Sequence, residues 1–213
     1  SQIFSVPPRL RGPSDQCLHL LVDVMRAVHR IIEQHVVTRG DQIAIVDGDR
    51  SCSYRALNSA ANSLARRMIA SGFRRGMRVD VRMPPSVDLA VVLLATLKVG
   101  GCYTWRGGDG GPSCEITSDG AKTAMRVDGI TIGGVAGGPN LPVITRGTDI
   151  ACILPYTAGG SVSVPHATII SMATCAAPGQ WPWAGEPGAF DLWAALLSGA
   201  TAVVTEPPSA IAA

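Results

Sequence analysis

The residues best placed to do chemistry are Tyr156-Thr157-Ala158-Gly159-Gly160-Ser161, followed closely by Val164-Pro165-His166. Hydroxyls and successive backbone N–H groups in a glycine-rich turn make a concave donor set for an anion. Thr157, Gly159, Gly160 and Ser161 are therefore a candidate anion-binding turn; a shortened strand-to-helix loop is the competing and favoured reading. Phosphate chemistry also needs a cation, and the chain has only two lysines, Lys98 and Lys122, neither of them beside this turn. Asp191, in the pair Phe190-Asp191, is a carboxylate near an expected helix start. It is either a binding group or, the favoured reading, a helix N-cap. The cluster Gly107-Gly108-Asp109-Gly110-Gly111 lacks the Gly-x-Gly-x-x-Gly order of a dinucleotide loop. The six cysteines and four histidines are widely scattered with no Cys-x-x-Cys pair, which argues against a zinc site and for buried reduced thiols in an intracellular, cytoplasmic protein.

The elements that must position these residues follow from apolar spacing. Ser14 or Asp15 is a candidate cap for a helix with Leu18, Leu21, Val22, Met25, Val28 and Ile32 on one face. Ile43–Val46 reads as a strand that turns at Asp47-Gly48 into Ser51–Ser53. Ser53 caps a helix over 54–71, ended by Gly72, and a strand over 77–83 stops at Pro84-Pro85. Ser86 caps a helix that is apolar on most sides and hence buried. Cys102–Trp105, Lys122–Val127, Leu141–Thr145 and Ile150–Leu154 are further strand candidates. Helices near 167–176 and 190–197 and a strand at 201–205 complete the pattern, with Trp181-Pro182-Trp183 standing where a regular strand is not expected. The alternation predicts a layered α/β fold, a mainly parallel sheet flanked by helices.

With 213 residues, 46% of them hydrophobic and 16% charged, and a net charge of +2, the chain is globular and offers no electrostatic footprint for nucleic acid. The longest apolar run, Leu89–Leu97, is broken by Thr96 and too short to span a membrane. Proline-rich ends suggest linkers at 1–17 and 206–213 around a domain at 18–205, as in a piece of a longer multidomain chain.

Four segments, in order, resemble the amino-acid adenylation (AMP-binding) domains of nonribosomal peptide synthetases. Ser53-Tyr54-Arg55-Ala56-Leu57-Asn58, continuing through Ala61-Asn62-Ser63-Leu64-Ala65-Arg66, resembles the first core motif, and Leu97-Lys98-Val99-Gly100-Gly101-Cys102-Tyr103 the second. Tyr156–Gly160 resembles the phosphate loop with its Ser/Thr/Gly-rich middle and Pro-Lys-Gly end missing, and Phe190-Asp191 the fourth motif. The resemblance implies the N-terminal part of the adenylate-forming (acyl-CoA synthetase-like) fold. It also implies a family reaction in which ATP, with magnesium, and an amino acid give an aminoacyl adenylate. Tyr156, Thr157, Gly159, Gly160 and Ser161 then form a vestigial phosphate loop, and Asp191 a vestigial contact to the substrate amino group. With those gaps the expectation is a truncated domain that binds neither ATP nor magnesium and activates no amino acid. Its partners would be the condensation and peptidyl carrier domains of the same synthetase, and an adenylation domain acting in trans, in antibiotic assembly. The alternative is residual ATP or amino-acid binding, completed by a partner protein.

Overall fold

The structure is a computed structural model that describes residues 26–105, 113–118, 121–125, 138–142, 145–155, 160–173, 180–183 and 189–205. The flanks at 1–17 and 206–213 and the glycine cluster at 107–111 lie outside them. In chain order the elements are α1 (Val28–Arg39), β1 (Ile43–Asp47), β2 (Arg50–Ser53), α2 (Tyr54–Ala70), β3 (Arg78–Arg82), α3 (Val87–Lys98) and β4 (Cys102–Trp105). They continue with β5 (Ser113–Ser118), β6 (Ala121–Met125), β7 (Ile150–Pro155), β8 (Ser161–Pro165), α4 (His166–Ala173), β9 (Gln180–Trp183), α5 (Phe190–Ser198) and β10 (Thr201–Val204).

Two sheets result, one of four strands in the order β2-β1-β10-β9 and one of six in the order β6-β5-β3-β4-β7-β8. Both are mixed. Parallel ladders join β1 to β10, β10 to β9, β3 to β4 and β4 to β7, while the hairpin partners and the β3–β5 pair are antiparallel. The layered α/β architecture expected from the alternation is present, with helices packed against both sheets. Helix α3 touches β1 of one sheet and β4 of the other. That placement is why it is apolar all round: every residue from Leu89 to Lys98 is buried.

Local chemistry sets the helix ends. Ser53 Oγ accepts the Ala56 N–H at 3.2 Å and Ser86 Oγ accepts the Leu89 N–H at 3.2 Å, as their sequence positions predict. Asp47, at the end of β1, adds a carboxylate for the Val87 N–H at 3.2 Å, and Arg50 of β2 pairs with Asp88 at 3.2 Å. The β1–β2 hairpin is thereby fixed to the start of α3. At its other end Gly101 has no room for a side chain: a Cβ would stand 2.5 Å from Phe73 Cζ and 2.9 Å from the Met77 carbonyl oxygen.

Several expectations change. The first described helix begins at Val28, after the extended residue Ala27, so Val28 and Ile32 do not continue an unbroken helix from upstream; Ser14, Asp15 and the expected face from Leu18 to Met25 lie outside the described residues. The segment around Leu141–Thr145 is not a strand where it is described, at 141–142 and 145. Trp181-Pro182-Trp183 is part of a strand, with Pro182 tolerated because β9 is a sheet margin. Strands β5 and β8 have no counterpart in the sequence reading. Each alternates polar and apolar residues, but over so few positions, with small or polar side chains, that the alternation does not by itself set a strand apart from a loop.

Beneath α2 lies a buried polar network. Lys98 Nζ is 2.5 Å from Glu33 Oε1, and their side chains are 1% and 8% exposed. Asn140 Oδ1 accepts from Asn58 Nδ2 at 3.0 Å, Asn62 Nδ2 at 3.0 Å and Lys98 Nζ at 3.4 Å. Arg30 adds an ion pair to Glu33 at 3.0 Å. Burial pulls Lys98 below the ordinary lysine range, with Glu33 opposing. Glu33→Leu leaves a buried ammonium without its carboxylate and is expected to cost about 3–5 kcal/mol of stability. The double variant Glu33→Leu/Lys98→Met should recover most of that loss, as read from urea denaturation midpoints.

Candidate functional site

In an open α/β sheet, ligands bind beyond the carboxyl ends of the parallel strands. For the six-stranded sheet these ends are Arg82 of β3, Trp105 of β4 and Pro155 of β7. The candidate anion turn leaves from the last of them. Tyr156, Thr157 and Gly159 lie outside the described residues, while Gly160 and Ser161 are exposed and Ser161 opens β8. β8 returns antiparallel along β7, with Pro155 opposite Ser161 and Ile150 opposite Pro165. β7 is therefore followed by an antiparallel strand and not directly by a helix. The helix follows one strand later, so its N-terminus is not what the turn leads into.

The carboxyl edges of the two sheets meet. Trp105, ending β4, packs against Trp183, ending β9, with ring centroids 6.1 Å apart, and both are buried. Trp105 Nε1–H donates to the Met83 carbonyl at 2.9 Å. One layer deeper, Trp193 Nε1–H of α5 donates to the Tyr103 hydroxyl at 2.6 Å. Tyr54 closes the other end, its hydroxyl 2.7 Å from the Ala200 carbonyl oxygen and 3.2 Å from that of Leu196. These contacts hold α5, and with it Asp191, against both sheets.

Asp191 is exposed in the first turn of α5, where its charge complements the helix dipole. It is not the N-cap. That position is Ala189, buried and left-handed at φ 56°, with no side-chain cap. A left-handed alanine is strained; this one is fully buried and its carbonyl accepts the Trp193 N–H at 3.1 Å.

Neither lysine stands at the hairpin tip. Helix α3 starts beyond the carboxyl end of β3 and ends before the amino end of β4, so Lys98, its last residue, lies at the amino edge of the sheet. Lys122 belongs to β6, on the margin opposite β8. Five strand spacings of about 4.8 Å separate those margins, roughly 24 Å. Arg82 is the cation that sequence reasoning passed over: it is exposed at the carboxyl end of β3. Its only sequence signal is a position two residues before Pro84-Pro85.

A pocket of about 300 Å³ lies at the amino edge, with Arg75, Cys102, Thr148 and Asp149 among its walls. It is on the far side of the sheet from the hairpin tip. Arg75 and Asp149 pair at 2.7 Å across it, and burial raises the Cys102 thiol pKa, so the thiol stays protonated at neutral pH. Cys52, Cys102 and Cys152 are all buried free thiols.

The Val-Pro-His segment has a structural part. The Val28 N–H donates to His166 Nδ1 at 3.2 Å, so an imidazole from the far end of the chain caps α1. His29 stands edge-on to it with centroids 6.3 Å apart, a pairing the sequence separation hides. Among the described residues no group of three or more His, Cys, Asp or Glu side chains is placed to hold a metal.

Residues 32–109 match the family described as AMP-binding enzyme. Malpibaldin synthetase of Mortierella alpina is 38% identical over 78 residues, which are 37% of this chain and 1% of that protein. A probable non-canonical nonribosomal peptide synthetase, CymA, of Salinispora arenicola is 26% identical over an alignment covering 86% of this chain and 3% of that one. The chain thus spans a small part of the curated relatives it matches. The N-terminal subdomain of Klebsiella oxytoca NpsA superposes with a TM-score of 0.66 at 19% identity, over 86% of this chain and 55% of that one.

Burial pushes His166 down to about 4 and His29 well below the ordinary histidine value of 6.5. Between those values the unfolded chain binds protons that the folded chain does not, so stability falls as pH drops from 6.5 towards 4. His166→Gln keeps an acceptor for the Val28 N–H and is expected to make that decline shallower, measured by urea denaturation at a series of pH values. Over residues 32–109 the chain is thus similar to the AMP-binding enzyme family, and the described elements have the fold of the N-terminal part of an adenylation domain.

Proposed function

We propose that the chain is a catalytically silent adenylation-like element of a nonribosomal peptide synthetase, serving peptide natural-product (antibiotic) assembly in the cytoplasm. It holds neighbouring condensation and peptidyl carrier domains at a working distance, and the carrier is loaded by an adenylation domain acting in trans. The observation that carries this reading is the position of the two lysines. Forming an acyl adenylate develops charge on the departing pyrophosphate, which preorganised donors and cations must stabilise. Lys98 is committed to Glu33 at the amino edge, and Lys122 sits on the opposite margin of the sheet. The described residues of the β7–β8 pair add no cation that could face a magnesium-bound triphosphate, which supports the reading. Loss of a single preorganised donor costs about 10²–10³ in rate, so loss of several leaves no measurable turnover.

A second reading, residual binding of ATP or an amino acid completed by a partner protein, is favoured by Arg82. It places one exposed guanidinium at the carboxyl edge, two strands from β7.

Purified chain is expected to give no amino-acid-dependent ATP–pyrophosphate exchange above background with any of the proteinogenic amino acids; exchange with any one of them refutes the proposal. Calorimetry with ATP and magnesium separates the second reading. Micromolar binding that Arg82→Ser abolishes supports it, and no heat of binding supports the silent element.

A further inference from the structure

Half of the buried side chains of helix α1 can gain or lose a proton. Its buried residues are Val28, His29, Ile32 and Glu33. What they meet is ionisable too: Lys98 of α3 lies against Glu33, and His166 of α4 accepts from the first turn. The buried side chains of α3, by contrast, are aliphatic apart from Thr96 and Lys98.

The bond from the Val28 N–H fixes the state of His166. Nδ1 accepts it, so Nδ1 holds no proton, and the single ring proton of the neutral imidazole sits on Nε2. Among the described residues that Nε2 has no partner, nor has Nδ1 of His29, whose ring stands edge-on to His166 with centroids 6.3 Å apart. A second proton on His166 can enter only at Nδ1. The proton and the helix cap therefore compete for one lone pair.

The elements packed on α1 are α2, α3, α4 and α5. Lys98 of α3 and Arg30 of α1 itself oppose a charge on His29, and Arg66 of α2 acts in turn on Lys98. Asp149, ahead of β7, favours a charge on His166 but is already paired with Arg75, and Glu33 is paired with Lys98 and Arg30. α4 brings no ionisable group besides His166, and the one charged residue of α5, Asp191, stands in its first turn. α5 meets the far end of α1, where His35 Nε2 donates to the Leu197 carbonyl at 2.9 Å and Arg39 to that of Gly199 at 3.3 Å. Those two bonds survive protonation, because the nitrogens in them are donors.

We propose that the amino-terminal half of α1 is a proton-operated latch: protonating the His29–His166 pair frees Val28–Glu33 into solvent while the sheets, α2 and α3 stay folded and His35 and Arg39 hold the far end. Burial opposes the charge on both rings, and release into water removes that opposition. The inference is independent of whether the chain binds nucleotide.

Native-state amide hydrogen exchange of the full chain tests this, read by NMR between about pH 6.5 and about pH 4.5 in low concentrations of urea. Protection of the Ile32 and Glu33 amides is expected to fall about tenfold per pH unit for each ring protonated, with little dependence on urea. Leu93 and Leu94 of α3 should exchange only through a strongly urea-dependent, global opening. His166→Asn keeps an acceptor for the Val28 N–H but takes up no proton, and should make the α1 slope about tenfold per pH unit shallower. Protection of Ile32 and Glu33 that does not change with pH overturns the proposal. So does a urea dependence equal to that of Leu93, because the opening is then global, and so does an unchanged slope in His166→Asn.

Discussion

The ion pair between Lys98 and Glu33 positions more of this structure than any other contact. It joins the last residue of α3 to the middle of α1, and both groups are almost fully removed from water. A buried ammonium is tolerated only when its charge and its protons are satisfied. Glu33 supplies the charge, and Asn140 supplies a further acceptor on the loop that crosses α2. Asn58 and Asn62 of α2 reach the same oxygen. Three helices and one loop are therefore registered to each other by a single satisfied cation. The same pairing anchors Lys98, since moving it would leave Glu33 buried with, among the described residues, the half-exposed Arg30 as its ion-pair partner.

The two sheets impose a second constraint. With α3 between them, the carboxyl edges converge on Trp105 and Trp183, and α5 is pinned by the Trp193–Tyr103 and Tyr54–Ala200 hydrogen bonds. The fold of the N-terminal part of an adenylation domain is thus well packed among the described residues. The described residues of the β7–β8 pair include no cation. Fold and catalytic equipment are separable because the first depends on buried contacts spread over many elements, whereas the second depends on a few donors aimed at one point.

Much of the scaffold was legible in the residues. The capping serines at 53 and 86, the Asp47-Gly48 turn and the all-apolar α3 each carry a local signal that needs no tertiary partner. Of the candidate site, the identities of Ser161 and Asp191 were legible but their settings were not. A hairpin and a strand-to-helix loop have the same composition at this length, and only the pairing of β7 with β8 tells them apart. Asp191 stands two residues from the buried, left-handed Ala189 that occupies the N-cap position in its place, a conformation no local sequence rule assigns to an alanine.

The chain by itself determined its family likeness, its helix starts and its shortage of lysine, because capping, periodicity and composition are properties of neighbouring residues. Tertiary structure alone decided that Lys98 would be buried against Glu33 and that His166 would cap a helix 138 residues away. Each of these depends on which distant segments come together when two sheets close on one helix layer, and pairing at that range leaves no periodic trace in either segment.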